Sequence, residues 1–154
     1  MDKIFLYLSQ LVLVFASAVA FTAPMDHTSA FTGIWKLNVA KSKFNPGPGP
    51  QSATVTIAPD GAFTFEGVSP QGKPNKWSHA WSVDKEVPVD GIENATIITK
   101  LQGRTADDTM KISGKTVETV HAVVSQDGKT FTATIHATDQ QGRPVHNVEV
   151  YDNQ

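Results

Sequence analysis

The residues best suited to chemistry are two tryptophans that flank a histidine at strand spacing: Trp77, His79 and Trp81. Side chains alternate between the two faces of a β-strand, so these three rings are expected to share one face. We expect Phe63 and Phe65 to lie beside them, which would build one aromatic wall. Such a wall stacks against a flat apolar or sugar-like ligand. The pattern also fits ordinary packing inside a barrel, with His79 bonded to a backbone carbonyl.

A second candidate group follows from counting residue pairs across the hairpin loops near the end of the chain. A two-residue loop at Gln141-Gly142 would place Glu118, Ala137 and His146 in one inward-facing row. Neighbouring strands lie about 4.8 Å apart, so Glu118 and His146 would be roughly 10 Å apart at the backbone. A Glu–His pair can orient a polar ligand group or act as acid and base. The alternative is a wetted row at the rim of the barrel, and the sequence leaves both open.

Other catalytic or metal-binding patterns are missing from the sequence. It contains no G-x-S-x-G, H-E-x-x-H, EF-hand or Walker motif. His121 and His136 are expected on the outer face, where two histidines without a third ligand make a poor zinc site. Asp107 and Asp108 are interpreted as solvated turn acids. No catalytic residue, metal ion or cofactor is therefore predicted.

The charge balance excludes several classes of partner. The formal net charge is −2, from 13 basic and 15 acidic residues that are spread along the chain. Arginine occurs only at positions 104 and 143, so neither a basic nucleic-acid face nor a phosphate fork is expected. Cysteine is absent, which excludes disulfides and lipid attachment through cysteine. A secreted domain of this kind depends on its apolar core, as suits a bacterial periplasm or medium.

The N-terminus has the features of an export signal. Lys3 precedes an apolar run over residues 4–19, and Ala18-Val19-Ala20 fits the small-residue cleavage pattern. An uncleaved membrane anchor is the alternative. We expect a signal peptide at 1–20, a flexible lead-in at 21–30 and one β-barrel domain at 31–154. The mature protein would be periplasmic or extracellular and free of the membrane.

Turn signals divide the chain from residue 51 onward at intervals of about eight to twelve residues, a cadence typical of short antiparallel strands. They predict an all-β, antiparallel up-and-down meander of about eight to nine strands, which removes its exposed edges by closing into a small barrel. The first strand is expected at 34–40, with Trp35, Leu37 and Val39 on one face. The register that collects apolar residues on one face pairs Ile57 with Phe63, Val124 with Phe131 and Ile135 with Val148 across three hairpin loops. The turn signals are Pro59-Asp60-Gly61, Pro70-Gln71-Gly72, Asp90-Gly91, Ser113-Gly114, Asp127-Gly128 and Gln141-Gly142.

The head of the first strand, Gly33-Ile34-Trp35, resembles the G-x-W signature of lipocalins and related calycin barrels. This resemblance implies that Trp35 plugs the closed end of a barrel and that Gly33 makes a tight turn. Together with residues 36–44 and 125–152, the segment resembles a group of small secreted bacterial lipocalin-like proteins of uncharacterised function. The C-terminal helix and late arginine of true lipocalins are missing, so the resemblance implies a barrel and leaves the ligand open.

These observations favour an exported barrel that binds a small, largely apolar or aromatic ligand in its interior. Large rings on one wall and the small Ala133 and Ala137 on the other would leave a void. The first alternative is a structural or protein-interaction module with a filled core, which the cavity volume would distinguish. The second is a hydrolase or isomerase that uses Glu118 and His146. The oligomeric state is not predicted.

Overall fold

The computed structural model describes residues 30–139 and 141–154, so the predicted signal peptide and almost all of the lead-in lie outside the described residues. Within these two ranges, no helix is both long enough and apolar enough to cross a membrane. The described residues form ten strands: β1 Gly33–Leu37, β2 Ser52–Ile57, β3 Ala62–Val68, β4 Pro74–Ala80, β5 Glu86–Pro88, β6 Ala95–Gln102, β7 Thr105–Ile112, β8 Lys115–Val124, β9 Thr130–Thr138 and β10 Pro144–Asn153.

All ten strands belong to one antiparallel sheet in the order β4-β3-β2-β1-β10-β9-β8-β7-β6-β5. The sheet curls into a nearly closed barrel, since Ser78 of β4 and Asp90, just after β5, exchange two backbone hydrogen bonds of 3.0 and 2.8 Å. The predicted all-β antiparallel meander is confirmed. The strand count exceeds the prediction because the short β5 gave no clear signal in the sequence.

Two apolar clusters form the core of the described barrel. The larger surrounds Trp35, which is fully buried, and the smaller is centred on Ile97 and Met110. Each large apolar side chain that is fully buried contributes about 1.5–3 kcal/mol to folding. Because the fold contains no disulfide, these clusters and the backbone ladder hold it together.

Two predicted hairpin registers are confirmed. Ile57 pairs with Phe63 across the β2–β3 loop, where Gly61 adopts the left-handed conformation (φ +83°) that the three-residue loop requires. Val124 pairs with Phe131 across the β8–β9 loop. In both hairpins the register that gathers apolar residues on one face is the one observed.

The predicted register between β9 and β10 is wrong by one residue. Ile135 pairs with Asn147, not with Val148. The loop has three residues between Asp139 and Arg143, and the Asp139 amide donates to the Arg143 carbonyl over 3.0 Å. The Asp139 carboxylate also accepts from the Arg143 amide at 2.8 Å, which fixes this longer loop. A one-residue shift exchanges the two faces of a strand, so every inward position of β10 changes.

The first strand also ends earlier than predicted. It stops at Leu37, and Asn38 begins a short 3-10 helix, Val39–Lys41, by accepting from the Lys41 amide through its side-chain oxygen at 3.1 Å. Val39 is therefore 44% exposed and does not belong to the core.

Candidate ligand-binding cavity

The barrel encloses a cavity of about 340 Å³. Its lining includes Val55 and Phe131 from the larger apolar cluster and Ile97 and Met110 from the smaller one, so the cavity lies between them. Ligand pockets in proteins measure roughly 300–1,000 Å³. The interior therefore has room for one small molecule.

One wall of the cavity is aromatic. Phe63 stacks on His79 with ring centroids 4.7 Å apart and on Trp77 at 5.1 Å. Phe65 stacks on Trp77 at 5.4 Å, and Trp81 meets Phe63 edge-on at 6.2 Å. The cross-strand pairs of β3 and β4 create this arrangement, because Phe63 lies opposite His79 and Phe65 opposite Trp77. All five predicted aromatic residues line the cavity, and their part in binding stays a prediction.

Two side chains of this wall, His79 and Trp81, have ring nitrogens that can form hydrogen bonds. His79 is buried, and its Nδ1 lies 3.0 Å from the Ala80 carbonyl, so Nδ1 carries the proton and Nε2 is free to accept. Burial lowers the pKa of His79, which keeps the ring neutral near neutral pH. The buried Nε1 of Trp81 finds no acceptor among the described residues. The sequence analysis treated an aromatic wall and a hydrogen bond from His79 to a backbone carbonyl as alternatives. Both are present in the structure.

Small side chains on three neighbouring strands explain why the interior is not filled. Ala106, Ala122 and Ala133 are paired in one cross-strand row, and all three are buried and line the cavity. Ala133 was expected to contribute to this void. Ala137, the other alanine predicted to do so, is not part of the lining.

The opposite wall carries three carboxyl groups: Asp108 on β7, Glu118 on β8 and Glu149 on β10. The Tyr151 hydroxyl donates to Glu149 Oε2 at 2.7 Å, and the Thr99 hydroxyl donates to Asp108 Oδ1 at 2.5 Å. Within the described part of the chain, the Glu118 carboxyl has neither a hydrogen-bond partner nor an ion-pair partner. The Glu118 side chain is half-buried and lines the cavity.

Burial makes these carboxyl groups reluctant to ionise. It raises the pKa of Asp108 to about 6, although the Thr99 hydrogen bond opposes the change. Burial, with a smaller contribution from the negative charges of Glu149 and Asp108, raises the pKa of Glu118 to about 7. The pKa of Glu149 is also raised by burial. These carboxyl groups therefore release their protons at a pH closer to neutral than exposed carboxyl groups do.

The cavity offers these carboxyl groups no positive partner. Neither lysine nor arginine occurs among the described residues that line it. Arg143, for example, pairs with Asp139 in the β9–β10 loop, and Lys76 pairs with Glu66 on the outer face of the barrel. Across residues 30–139 and 141–154, no three His, Asp or Glu side chains are placed to hold a metal ion.

The predicted Glu118–His146 row is wrong. Glu118 pairs with Ala137, but Ala137 pairs with Val145, and His146 lies on the outer face opposite His136. The two histidine Nδ1 atoms are 2.7 Å apart, with the ring centroids separated by 4.8 Å. The shifted β9–β10 register is the cause. Glu118 itself faces the interior, as predicted.

Two acidic residues of the cavity were missed in the sequence. Asp108 was interpreted as a solvated turn acid, but it is a half-buried residue in the middle of β7, and it lines the cavity. Its alternation with Ala106 and Met110 was a signal that could have placed it inside. Glu149 was assigned to the outer face by the incorrect β10 register. The strongest sequence signal against that register is Asp139, because an aspartate can bond the backbone of a longer turn.

The G-x-W residues lie behind the cavity. Trp35 is fully buried, donates from Nε1 to the Phe31 carbonyl at 2.7 Å and meets Phe131 edge-on at 5.1 Å. Phe31 and Phe131 both line the cavity, so Trp35 supports that side from behind. Gly33 has a φ of +146°, a conformation that favours glycine.

Comparisons with known proteins give no family for this chain, since no protein-family model and no curated protein matches it. Among solved structures, the chain is similar to zebrafish ileal bile acid-binding protein, determined in complex with cholic acid. The TM-score is 0.48 and the sequence identity is 14%, and the match covers 81% of this chain and 99% of the zebrafish chain.

Proposed function

We propose that this protein binds a small, largely apolar ligand, with an aromatic or flat portion, inside its barrel. The observation that carries the proposal is the cavity of about 340 Å³ with a stacked aromatic wall on one side. Stacked rings bind flat apolar groups, and enclosure removes most of a ligand's surface from water. Export to a periplasm or medium, with residues 1–20 removed, is part of the same proposal.

The alternatives fit these observations less well. A module with a filled core needs an interior packed with side chains, as small barrels often have. The alanine row of Ala106, Ala122 and Ala133 leaves space instead. An enzyme that uses Glu118 with His146 loses its catalytic pair, because these side chains lie on opposite faces of the sheet.

Binding can be tested with N-phenylnaphthylamine, a neutral dye whose fluorescence rises in apolar surroundings. We expect saturable binding at one site per chain. Ala122→Phe places a ring in the cavity and should weaken binding by at least about tenfold, or about 1.4 kcal/mol. The matched control is Val123→Phe, because Val123 is the next residue of β8 and is 40% exposed on the outer face.

Circular dichroism would first establish that both variants are folded. Trp81→Ala is a second cavity variant, which removes a ring of the wall and should also weaken binding. Equal affinity of Ala122→Phe and Val123→Phe, or no saturable binding by the unmodified protein, would contradict the proposed function.

A further inference from the structure

We propose that the cavity selects a positively charged ligand, an amine with an aromatic or apolar body, and rejects carboxylates such as fatty acids. This inference rests on the proposed function and specifies its ligand class. The ammonium group would lie against Asp108, Glu118 and Glu149, and the apolar body against the aromatic wall.

The ionisable side chains that face the cavity favour a positively charged ligand over a negatively charged one. Carboxyl groups come from β7, β8 and β10, and no described lining residue is a lysine or arginine. The other titratable groups that face the same space are His79 on β4 and Tyr151 on β10. Burial lowers the pKa of His79 and raises that of Tyr151, so both are neutral near neutral pH. A carboxylate ligand would therefore meet negative charge without any compensating positive group.

Glu118 marks the place where a donor from a ligand would bind. A carboxyl group that a ligand shields from water needs a hydrogen-bond donor in return, above all when it is charged. Asp108 and Glu149 each accept a hydrogen bond from a neighbouring hydroxyl, whereas Glu118 accepts none from any residue that the structure describes. An ammonium group carries three donors and no acceptor, so it can bond Glu118 and still reach a second carboxyl group.

The aromatic wall supplies the contact for the apolar body. Trp77, Phe63 and Phe65 line the cavity and stack on one another, which holds the wall flat. The acidic wall therefore discriminates between an amine and a carboxylate of the same shape. A metal ion does not fit the described residues as well, since no group of three ligands is assembled.

Three probes with one naphthalene body separate charge from shape: naphthylethylamine, naphthylethanol and naphthylacetate. Calorimetric titration of the purified protein near neutral pH should show the amine binding at least about tenfold more tightly than the alcohol, a difference of about 1.4 kcal/mol. The carboxylate should bind more weakly than the alcohol. In Glu118→Gln the amine-to-alcohol affinity ratio should fall by about tenfold, since one charged acceptor is lost.

Glu66→Gln is the control, because Glu66 lies on the outer face and its side chain is 56% exposed. Asp108→Asn provides a second interior variant and should lower the same ratio. If the alcohol binds but the amine binds no more tightly, or if the carboxylate binds best, the charge inference is wrong and the proposed function stands. An unchanged ratio in both interior variants would also overturn it. If none of the three probes binds, the proposed function falls as well.

Discussion

At the scale of single residues, burial of the cavity carboxyl groups lowers the free energy of unfolding at the pH values where these groups ionise. Burial raises the pKa of Asp108 to about 6 and that of Glu118 to about 7, so the folded state holds protons that the unfolded chain has already released. Stability rises with pH only where the unfolded state binds more protons, and here the folded state binds more. The free energy of unfolding should therefore fall as the pH rises from about 4 to about 7.

The Glu118→Gln variant tests how much the ionisation of Glu118 lowers the free energy of unfolding. The amide cannot ionise, so the variant should be more stable than the unmodified protein at about pH 8, by about 1–3 kcal/mol. At about pH 4 both side chains are neutral, and the difference should disappear. Urea denaturation at the two pH values gives the free energies of unfolding.

Glu66→Gln is the matched control for this measurement, because its exposed carboxylate pairs with Lys76 on the surface and should change stability by less than about 1 kcal/mol at either pH. A gain for Glu118→Gln that is the same at both pH values would contradict the assignment of its pKa. Together with weaker amine binding, a pH-dependent gain would mean that stability has been sacrificed for a ligand site.

At the scale of secondary-structure elements, the barrel is weakest where β4 meets β5. Only Ser78 and Asp90 join the two edges by backbone hydrogen bonds among the described residues. Pro88 at the end of β5 has no amide to donate there. Gly91 allows the close approach: its φ is +93°, and an added Cβ would lie 2.6 Å from the Lys76 carbonyl oxygen.

Gly91→Ala should therefore disrupt this seam, the junction between β4 and β5, and lower the free energy of unfolding by about 1–3 kcal/mol. Amide hydrogen exchange at Ser78 and Asp90 should become faster than in the unmodified protein. Gly103→Ala is the control, because Gly103 also has a positive φ (+59°) but an added Cβ there meets nothing within 4 Å. Equal effects of the two substitutions would show that the contact at the seam contributes nothing.

The hairpins show how far sequence reasoning extends at this scale. The β2–β3 register could be predicted because only one loop length places Ile57 and Val55 opposite phenylalanines. The same rule fails for β10, where it selects Val148 as an inward residue. The observed inward residues of β10 include Glu149 and Tyr151, since the cavity wall there is polar. Apolar pairing is a poor guide to register wherever the inward positions of a strand are polar.

At the scale of the whole molecule, the fold could be predicted more fully than the site. Regular turn signals and strand alternation run from residue 51 to the last strand, so a few errors do not change the architecture. The aromatic wall could also be predicted, because Trp77, His79 and Trp81 alternate within one strand and its extension. The acidic wall could be predicted only in part: Glu118 was expected inside, whereas Glu149 was hidden by the one-residue error in the β10 register.

The central claim is that the barrel carries a ligand in its interior, and native mass spectrometry tests it most directly. The protein would be purified without detergent from the organism that makes it, alongside Ala122→Phe and Val123→Phe produced in the same way. We predict one ligand mass per chain in the unmodified protein and in Val123→Phe, and none in Ala122→Phe, whose added ring occupies the cavity. A bare mass in all three proteins, or the same added mass in Ala122→Phe, would contradict the account.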